Sequence, residues 1–252
     1  MKERRGREPM TKHSGSLKEF LRRVPGYVKL SNYIDVVLGI AYEGWGDRKR
    51  RFDRAHARVW NYELPIERER YAHVIDAVTR QFGNTAWGNV LEIGCAQGVF
   101  TEQLALKSQP LTACDISTLA CERTAERFIG NVNVFVQQHD ITQDEIRGQY
   151  DLVFALDLLE AIHGRRRIEK VIEKLAAAVR PGGLLIISSS RLPEHMRNSR
   201  WARRLIEGGD NHLAFIKARS DLRLTYQEQY PKAGQETPDY PQHTIAVFQK
   251  AA

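Results

Sequence analysis

The segment 89–104, NVLEIGCAQGVFTEQL, constrains the fold more than any other part of the chain. An apolar run ends in the acid Glu92, passes through Gly94 and Gly98, and then becomes amphipathic. Glycines let the backbone turn sharply and approach a ligand closely, because no Cβ stands in the way. This strand–loop–helix pattern is typical of doubly wound α/β proteins that hold a nucleotide-like ligand.

A second acid lies at a distance that fits the same kind of site. Asp115 ends the next apolar run, LTACDIS, twenty-one residues after Gly94. An acid near this offset can accept hydrogen bonds from both hydroxyls of a ribose. A simple cap at the strand end is the alternative interpretation of Asp115. The glycine loop and the acid together predict a ligand that contains a nucleoside.

After Gly83, strand-like and helical segments alternate, which predicts a parallel sheet with helices on both faces. The predicted strands are 89–93, 111–115, 133–136, 150–156 and 184–189. The predicted helices are 66–82, 99–107, 119–128, a short one at 142–146, 166–179 and 210–219. Two last segments, 222–227 and 244–248, predict an antiparallel hairpin at the C-terminal edge. The expected fold class is therefore α/β, a doubly wound, Rossmann-like sheet of seven strands, mostly parallel.

The basic charge is concentrated near the N-terminus. Residues 1–70 contain 17 Lys and Arg against 10 Asp and Glu, whereas residues 71–252 contain 21 of each. We predict a basic extension over 1–58, made of a tail and short helices, and one domain over 59–252. The end of this extension, 47–58, is predicted to be an exposed helical connection.

The apolar face of segment 24–45 leaves three interpretations open. It could dock on the protein's own core, pair with a second copy as a homodimer, or associate weakly with a membrane surface. The first is favoured, since amphipathic helices usually pack on their own domain. Nucleic acid is a less favoured partner, because the basic region interleaves few aromatic residues.

The cysteine and histidine patterns restrict the remaining classes. Cys95, Cys114 and Cys121 form no CxxC pair, which favours a reducing cytoplasm and buried thiols. The histidines lack the spacing of a zinc site, so no metal is expected. Asp140 ends the third predicted strand, where its carboxylate could accept from an adenine amino group or cap the next helix.

Five motifs carry a family resemblance: VLEIGCAQG, ACDIS, QQHDI, YDLVFALDLLEAI and VRPGGLLIISS. In this order and spacing the chain resembles class I S-adenosylmethionine-dependent methyltransferases over about 71–250. Within them it is most similar to the nodulation protein S group of small-molecule N-methyltransferases. That group shares Ala96 in place of a third loop glycine, a Trp…Glu-Arg-Tyr element (Trp60 and 69–71 here), and an Arg-Trp pair (200–201 here).

The resemblance implies S-adenosylmethionine as cofactor and S-adenosylhomocysteine as product. It assigns the methionine moiety to Glu92 and the loop, the ribose to Asp115, and the adenine to 140–141, with Trp60, Arg70 and Tyr71 as a lid. On its chemistry, Arg70 could pair with the methionine carboxylate, whereas Trp60 could instead be a packing staple. The expected cofactor-binding residues are Trp60, Arg70, Tyr71, Glu92, Gly94, Cys95, Ala96, Gly98, Asp115, Ile116, Asp140, Ile141 and Leu156.

Methyl transfer to an amine or hydroxyl needs close positioning, and a base only for the acceptor's proton. Three candidates follow the fourth strand: Asp157, Glu160 and His163. Asp157 is the first choice, because it occupies a position where the group carries an acid. Glu160 departs from the aromatic residue expected there, and a lone histidine such as His163 is more often a packing residue.

The leading hypothesis is methyl transfer to an amine or hydroxyl of a small molecule, a sugar or sugar-containing metabolite. Arginines within 188–210 could contact an anionic acceptor or form a solvated face. One alternative is an RNA methyltransferase that uses the basic N-terminal region. The other is a non-catalytic scaffold that binds the cofactor.

Overall fold

The computed structural model describes residues 48–57, 62–83, 86–190, 209–232, 234–235 and 242–252. All of them belong to one structural unit, 47–252. The predicted short helices before residue 47, Trp60 and the arginine-containing segment 191–208 lie outside the described residues. The predicted domain boundary after residue 58 stays a prediction.

A mixed sheet of seven strands forms the centre of this unit, in the order β3-β2-β1-β4-β5-β7-β6. Strands β1 to β5 pair in parallel, and β7 pairs antiparallel with both β5 and β6. The predicted fold class is confirmed, including the antiparallel hairpin at one edge. The strands are β1 Val90–Ile93, β2 Leu111–Asp115, β3 Val134–Gln138, β4 Tyr150–Leu156, β5 Val179–Ser190, β6 Leu222–Tyr230 and β7 His243–Lys250.

Helices cover both faces of the sheet, and each face has its own apolar core. One core contains Trp87 and Phe154, and the other contains Leu159 and Leu175. Pro65 lies in the first turn of α2, where its missing N–H has no intrahelical partner to lose. The helices are α1 Arg48–Ala57, α2 Pro65–Phe82, α3 Val99–Ala105, α4 Thr118–Arg127, α5 Arg165–Ala178 and α6 Gly209–Lys217, with a 3₁₀ turn at Leu159–Ala161.

The strand order creates a crevice at one end of the sheet. Strand β1 has β2 on one side and β4 on the other, so the connections leave in opposite directions. In open α/β sheets, ligands bind outside the carboxyl ends of the strands at such a switch point. The ends of β1, β2 and β4 are therefore the first place to look for a site.

Three local predictions need correction. The predicted helix at 142–146 is absent, and residues 141–144 form a turn instead. That turn is closed locally, because the Asp140 carboxylate accepts from the Thr142 N–H and the Asp140 carbonyl accepts from the Asp144 N–H. Strand β5 begins at Val179 rather than at 184, with a register shift in its pairing to β4. Residues 48–57 are helical as predicted, but this helix is not simply exposed, as described below.

No helix in the described part of the chain is long and apolar enough to cross a membrane.

Candidate functional site

A cavity of about 620 Å³ lies at the carboxyl ends of β1, β2 and β4. Its volume falls in the range typical of small-molecule sites. Gly98 and His163 do not line it, and Trp60 lies outside the described residues. The predicted site residues that do line it are Arg70, Tyr71, Glu92, Gly94, Cys95, Ala96, Asp115, Ile116, Asp140, Ile141, Leu156, Asp157 and Glu160.

The glycine loop between β1 and α3 has the backbone conformation that its sequence predicts. Gly94 and Gly98 have φ values of 89° and 79°, in the left-handed region that glycine enters easily. Ala96 is also left-handed, with φ 49°, at the position where the resemblance expects a glycine. A Cβ at Gly98 would lie 3.0 Å from Thr124 Cγ2, so this glycine permits the close packing of the loop on α4.

Asp115 ties this loop to the end of β2. Its Oδ2 accepts from the Ala96 N–H at 3.0 Å, and its Oδ1 accepts from the Ser117 N–H at 2.9 Å. The side chain is nearly buried. Because each carboxylate oxygen can accept more than one hydrogen bond, Asp115 keeps capacity for ligand hydroxyls.

Glu92 lies beneath the loop in an apolar setting. It is 4% exposed, and its Oε2 accepts from Thr101 Oγ1 at 2.7 Å. Burial raises the pKa of Glu92 to about 7, the Thr101 hydrogen bond opposes this rise, and the Asp115 charge adds to it. Near neutral pH this carboxyl group is therefore divided between its neutral and its charged form.

Helix α1 contributes to the same cavity, which the sequence did not reveal. Arg48 and Phe52 line it. Arg48 Nη1 donates to Thr142 Oγ1 at 2.5 Å and lies 3.4 Å from Asp140 Oδ1. Asp53 Oδ1 accepts from Ser117 Oγ at 2.6 Å, which joins α1 to the start of α4. Helix α1, which the sequence predicts to be an exposed connection, is therefore part of the cavity wall.

Asp157 lies at the end of β4 in a left-handed conformation, with φ 50°. Its Oδ2 lies 2.9 Å from Arg70 Nη2. Its Oδ1 accepts from Ser188 Oγ at 2.8 Å and lies 3.1 Å from His243 Nδ1. Burial alone would raise the pKa of Asp157, but the Arg70 charge, His243 and the Ser188 hydrogen bond hold it well below its usual range.

Arg70 is 2% exposed, and its guanidinium is held by side chains of the protein. Its Nε and Nη2 donate to Glu67 Oε2 at 3.0 and 2.7 Å, and its Nη1 donates to Ser188 Oγ at 3.0 Å. The sequence singled out Arg70 but not Glu67, Ser188 or His243. Polar residues at the ends of β5 and β7 are the signal that could have identified the latter two.

Glu160 lies in the 3₁₀ turn that follows β4. Its Oε1 accepts from Ser189 Oγ at 2.6 Å and from the Ser190 N–H. Its Oε2 is buried and has no hydrogen-bond partner among the residues described here. Burial and the neighbouring Asp157 charge raise the pKa of Glu160 to about 7, although the Ser189 hydrogen bond lowers it.

Within the described ranges, no group of three or more His, Cys, Asp or Glu side chains is arranged to hold a metal ion.

The strand order, the reversed C-terminal hairpin and the glycine-loop cavity define the fold of class I S-adenosylmethionine-dependent methyltransferases. A family model described as Nodulation protein S (NodS) matches residues 51–220. The chain belongs to this family, as its motifs predicted.

Sequence relatives agree with this assignment. Nodulation protein S of Azorhizobium caulinodans is 30% identical over 132 residues, which are 52% of this chain and 62% of the relative. The corresponding protein of Rhizobium tropici is 32% identical over 127 residues, 50% of this chain and 52% of the relative. Ubiquinone biosynthesis O-methyltransferase of Rickettsia felis is 25% identical over 147 residues, covering 55% and 59%. The chain thus spans little more than half the length of the relatives it matches.

Among solved structures, the chain resembles N-methyltransferase NodS from Bradyrhizobium japonicum WM9 in complex with S-adenosyl-l-homocysteine. The TM-score is 0.68 at 23% sequence identity, and the match covers 81% of this chain and 99% of that chain.

Proposed function

We propose that this protein transfers a methyl group from S-adenosylmethionine to an amine or hydroxyl of a small molecule. The observation that carries the proposal is one cavity that joins the Asp115 and glycine-loop end to the carboxylates Asp157 and Glu160. The end near Asp115 suits an adenosyl group, and the carboxylates Asp157 and Glu160 at the other end can contact an acceptor. Membership of the nodulation protein S family supports the same reaction.

The residues at the end near Asp115 fit the cofactor. Asp115 can still accept from ribose hydroxyls, and the left-handed Ala96 leaves the loop backbone uncovered by a large side chain. Ile116, Ile141 and Phe52 supply apolar surface for a planar ring. Asp140 could accept from an adenine amino group, although its Oδ1 is already held by Thr142. When bound, S-adenosylmethionine supplies an electrophilic methyl group attached to a sulfonium.

Two aromatic side chains in the cavity wall can attract a positive charge. Tyr62 and Tyr71 line the cavity, and burial raises the pKa of both phenols, so their rings stay neutral at physiological pH. Aromatic faces attract cations, and the Arg70 guanidinium already lies 5.1 Å from the centre of the Tyr71 ring. The ionised fraction of Glu92 adds negative potential. The two tyrosine rings can therefore help to orient a sulfonium without any change of protonation.

The acceptor is proposed to be a sugar or sugar-containing metabolite. A relative in the same family is named as an N-methyltransferase, which supports an amine. More distant relatives are named as O-methyltransferases, so hydroxyl acceptors are included in the assay described next. The acidic lining of the acceptor end favours a neutral or cationic group over an anionic one.

A methyl-transfer assay tests this proposal. Labelled S-adenosylmethionine would be incubated with the protein and with amino sugars, neutral sugars, sugar acids and transfer RNA in separate reactions. Labelled amino or neutral sugar supports the proposal, whereas labelled transfer RNA alone would favour the RNA alternative. Binding of S-adenosylhomocysteine without transfer to any acceptor would favour the non-catalytic scaffold.

A further inference from the structure

The carboxylates Asp157 and Glu160, at the acceptor end of the cavity, differ in their contacts with the protein. This difference determines which of them can take the acceptor's proton. This question rests on the proposed methyl transfer. A group that accepts a proton near neutral pH needs a pKa close to that pH and an oxygen that the protein leaves available.

Asp157 does not meet the first condition, and both of its oxygens are already engaged by the protein. Its Oδ2 is paired with Arg70, and its Oδ1 is held by Ser188 and His243. These contacts stabilise its ionised form, so it resists protonation. A permanently negative Asp157 suits the binding of a polar or cationic acceptor.

Glu160 differs in both respects. Its Oε1 is fixed by Ser189 Oγ and the Ser190 N–H, but its Oε2 has no hydrogen-bond partner among the described residues although it is buried. Leaving a buried carboxylate oxygen unpaired is costly, and such atoms are uncommon in native proteins. Glu160 forms part of the cavity wall, and a small rotation of its carboxyl group on binding would bring Oε2 to a donor on the acceptor.

His212 on α6 extends this arrangement behind Glu160. It is fully buried, and its Nδ1 lies 3.4 Å from Ser189 Oγ. Since the Ser189 hydroxyl donates to Glu160, its oxygen is left to accept from Nδ1–H of His212. Burial lowers the pKa of His212 to about 4, so the ring is neutral and acts as a hydrogen-bond donor, not as a charge. His212 was not among the residues selected from the sequence patterns.

We propose that Glu160 is the proton acceptor of the methyl transfer, and that Ser189 and His212 are positioning residues that hold its carboxylate. In the step itself, the lone pair of the acceptor nitrogen or oxygen forms the new bond to the methyl carbon. The carbon–sulfur bond breaks, and its electron pair stays on sulfur. The acceptor's proton passes to Glu160 Oε2, which becomes neutral and later returns the proton to solvent.

Among the described residues, four ionisable groups take part in the contacts made around Asp157 and Glu160, each on a different element. They are Asp157 at the end of β4, Arg70 on α2, His243 on β7 and His212 on α6. Arg70 contacts Asp157 directly and offsets its negative charge, and His243 Nδ1 lies 3.1 Å from Asp157 Oδ1. The Asp157 charge disfavours ionisation of Glu160, whereas the Ser189 hydrogen bond favours it.

The pH dependence of kcat tests the proposal, with the most active acceptor of the assay described above. The wild-type rate should rise with pH around 7, and Glu160→Gln should lower kcat by at least about 100-fold and remove this rise. Ser189→Ala should shift the rise to higher pH, since it removes a bond that stabilises the ionised carboxylate. Glu92→Gln is the matched control, because Glu92 is buried at the cofactor end; it should weaken cofactor binding but keep the rise in kcat.

A second measurement needs no acceptor. Carbon-13 spectra of glutamate-labelled protein with bound S-adenosylhomocysteine should contain a carboxyl resonance that titrates near pH 7 and is missing in Glu160→Gln. The proposal is overturned if the missing resonance titrates below about pH 5, or if Glu160→Gln keeps the wild-type pH profile. Failure of the proposed function is a different result: no binding of S-adenosylhomocysteine, or no transfer by the wild-type protein.

Discussion

Arg70 Nη2 on α2 lies 2.9 Å from Asp157 Oδ2 at the end of β4. The pair connects the helix that precedes the sheet to the strand that ends at the acceptor side of the cavity. Ser188 contacts both partners, since it accepts from Arg70 and donates to Asp157. Asp157 is therefore fixed as an anion before any ligand binds.

Asp157→Asn should destabilise the protein at neutral pH. The variant removes one acidic partner of the buried Arg70 guanidinium. We expect a loss of roughly 1.5 kcal/mol, at the low end for a hydrogen bond to a charged group, because the Asp157 side chain is 31% exposed. Urea denaturation at pH 7 measures the difference. Asp221→Asn is the control, because Asp221 pairs with Arg219 near the surface and exposed pairs contribute under about 1 kcal/mol.

Asp157→Asn should also change how the free energy of unfolding depends on pH in acid. The folded-state pKa of Asp157 lies below its unfolded value of about 3.9, so its contribution is present above that pH and is lost as the pH falls below it. Asp157→Asn should flatten the loss of unfolding free energy between about pH 4 and pH 3. An unchanged slope would contradict the assigned charge environment.

Glu92→Gln should change the pH dependence of the free energy of unfolding in the opposite sense to Asp157→Asn. Burial raises the pKa of Glu92 to about 7, so its unfavourable ionisation costs stability as the pH rises from its unfolded value of about 4.3. Relative to wild type, the variant should gain up to about 3 kcal/mol of unfolding free energy between pH 4 and pH 8. Glu122→Gln, at an exposed position on α4, should follow the wild-type curve. Parallel curves for wild type and Glu92→Gln would refute the burial argument.

Gly98→Ala should destabilise the protein more than Gly130→Ala. Both glycines have positive φ, 79° and 83°, and an alanine there costs about 1–2 kcal/mol. An added Cβ at Gly98 would also approach Thr124 at 3.0 Å, whereas a Cβ at Gly130 meets nothing within 4 Å. The comparison separates backbone strain from close packing, and equal losses in thermal unfolding would show that the packing contact is unimportant.

The fold could be predicted from sequence because its signals are local. Apolar strands, glycine turns and the Pro65 helix start follow from neighbouring residues, and the predicted bounds lie mostly within a few residues of those observed. The predicted helix at 142–146 is wrong because the Asp140 carboxylate closes a turn by accepting from the Thr142 N–H. The spacing of apolar residues carries no information about such a side-chain hydrogen bond. Strand β5 was predicted too short because Pro181 and its glycines resemble a turn although strand β5 includes them.

The site was only partly accessible to the same reasoning. The sequence identified the loop, Asp115 and the acids after β4 as site residues, because each follows the carboxyl end of a predicted strand. It could not supply Ser188, His243 or His212, since their importance depends on contacts made across the sheet. The contribution of Arg48 and Phe52 was missed because a charge-dense helix was expected to be solvated.

Calorimetric titration with S-adenosylhomocysteine tests the central claim most directly, because it needs no knowledge of the acceptor. The wild-type protein should bind one molecule saturably, and Asp115→Ala should bind at least about 30-fold more weakly, since hydrogen bonds to a charged group contribute about 1.5–3 kcal/mol each. Asp221→Asn should bind like the wild type. Absence of saturable binding by the wild-type protein, or equal affinity of Asp115→Ala, would contradict the account.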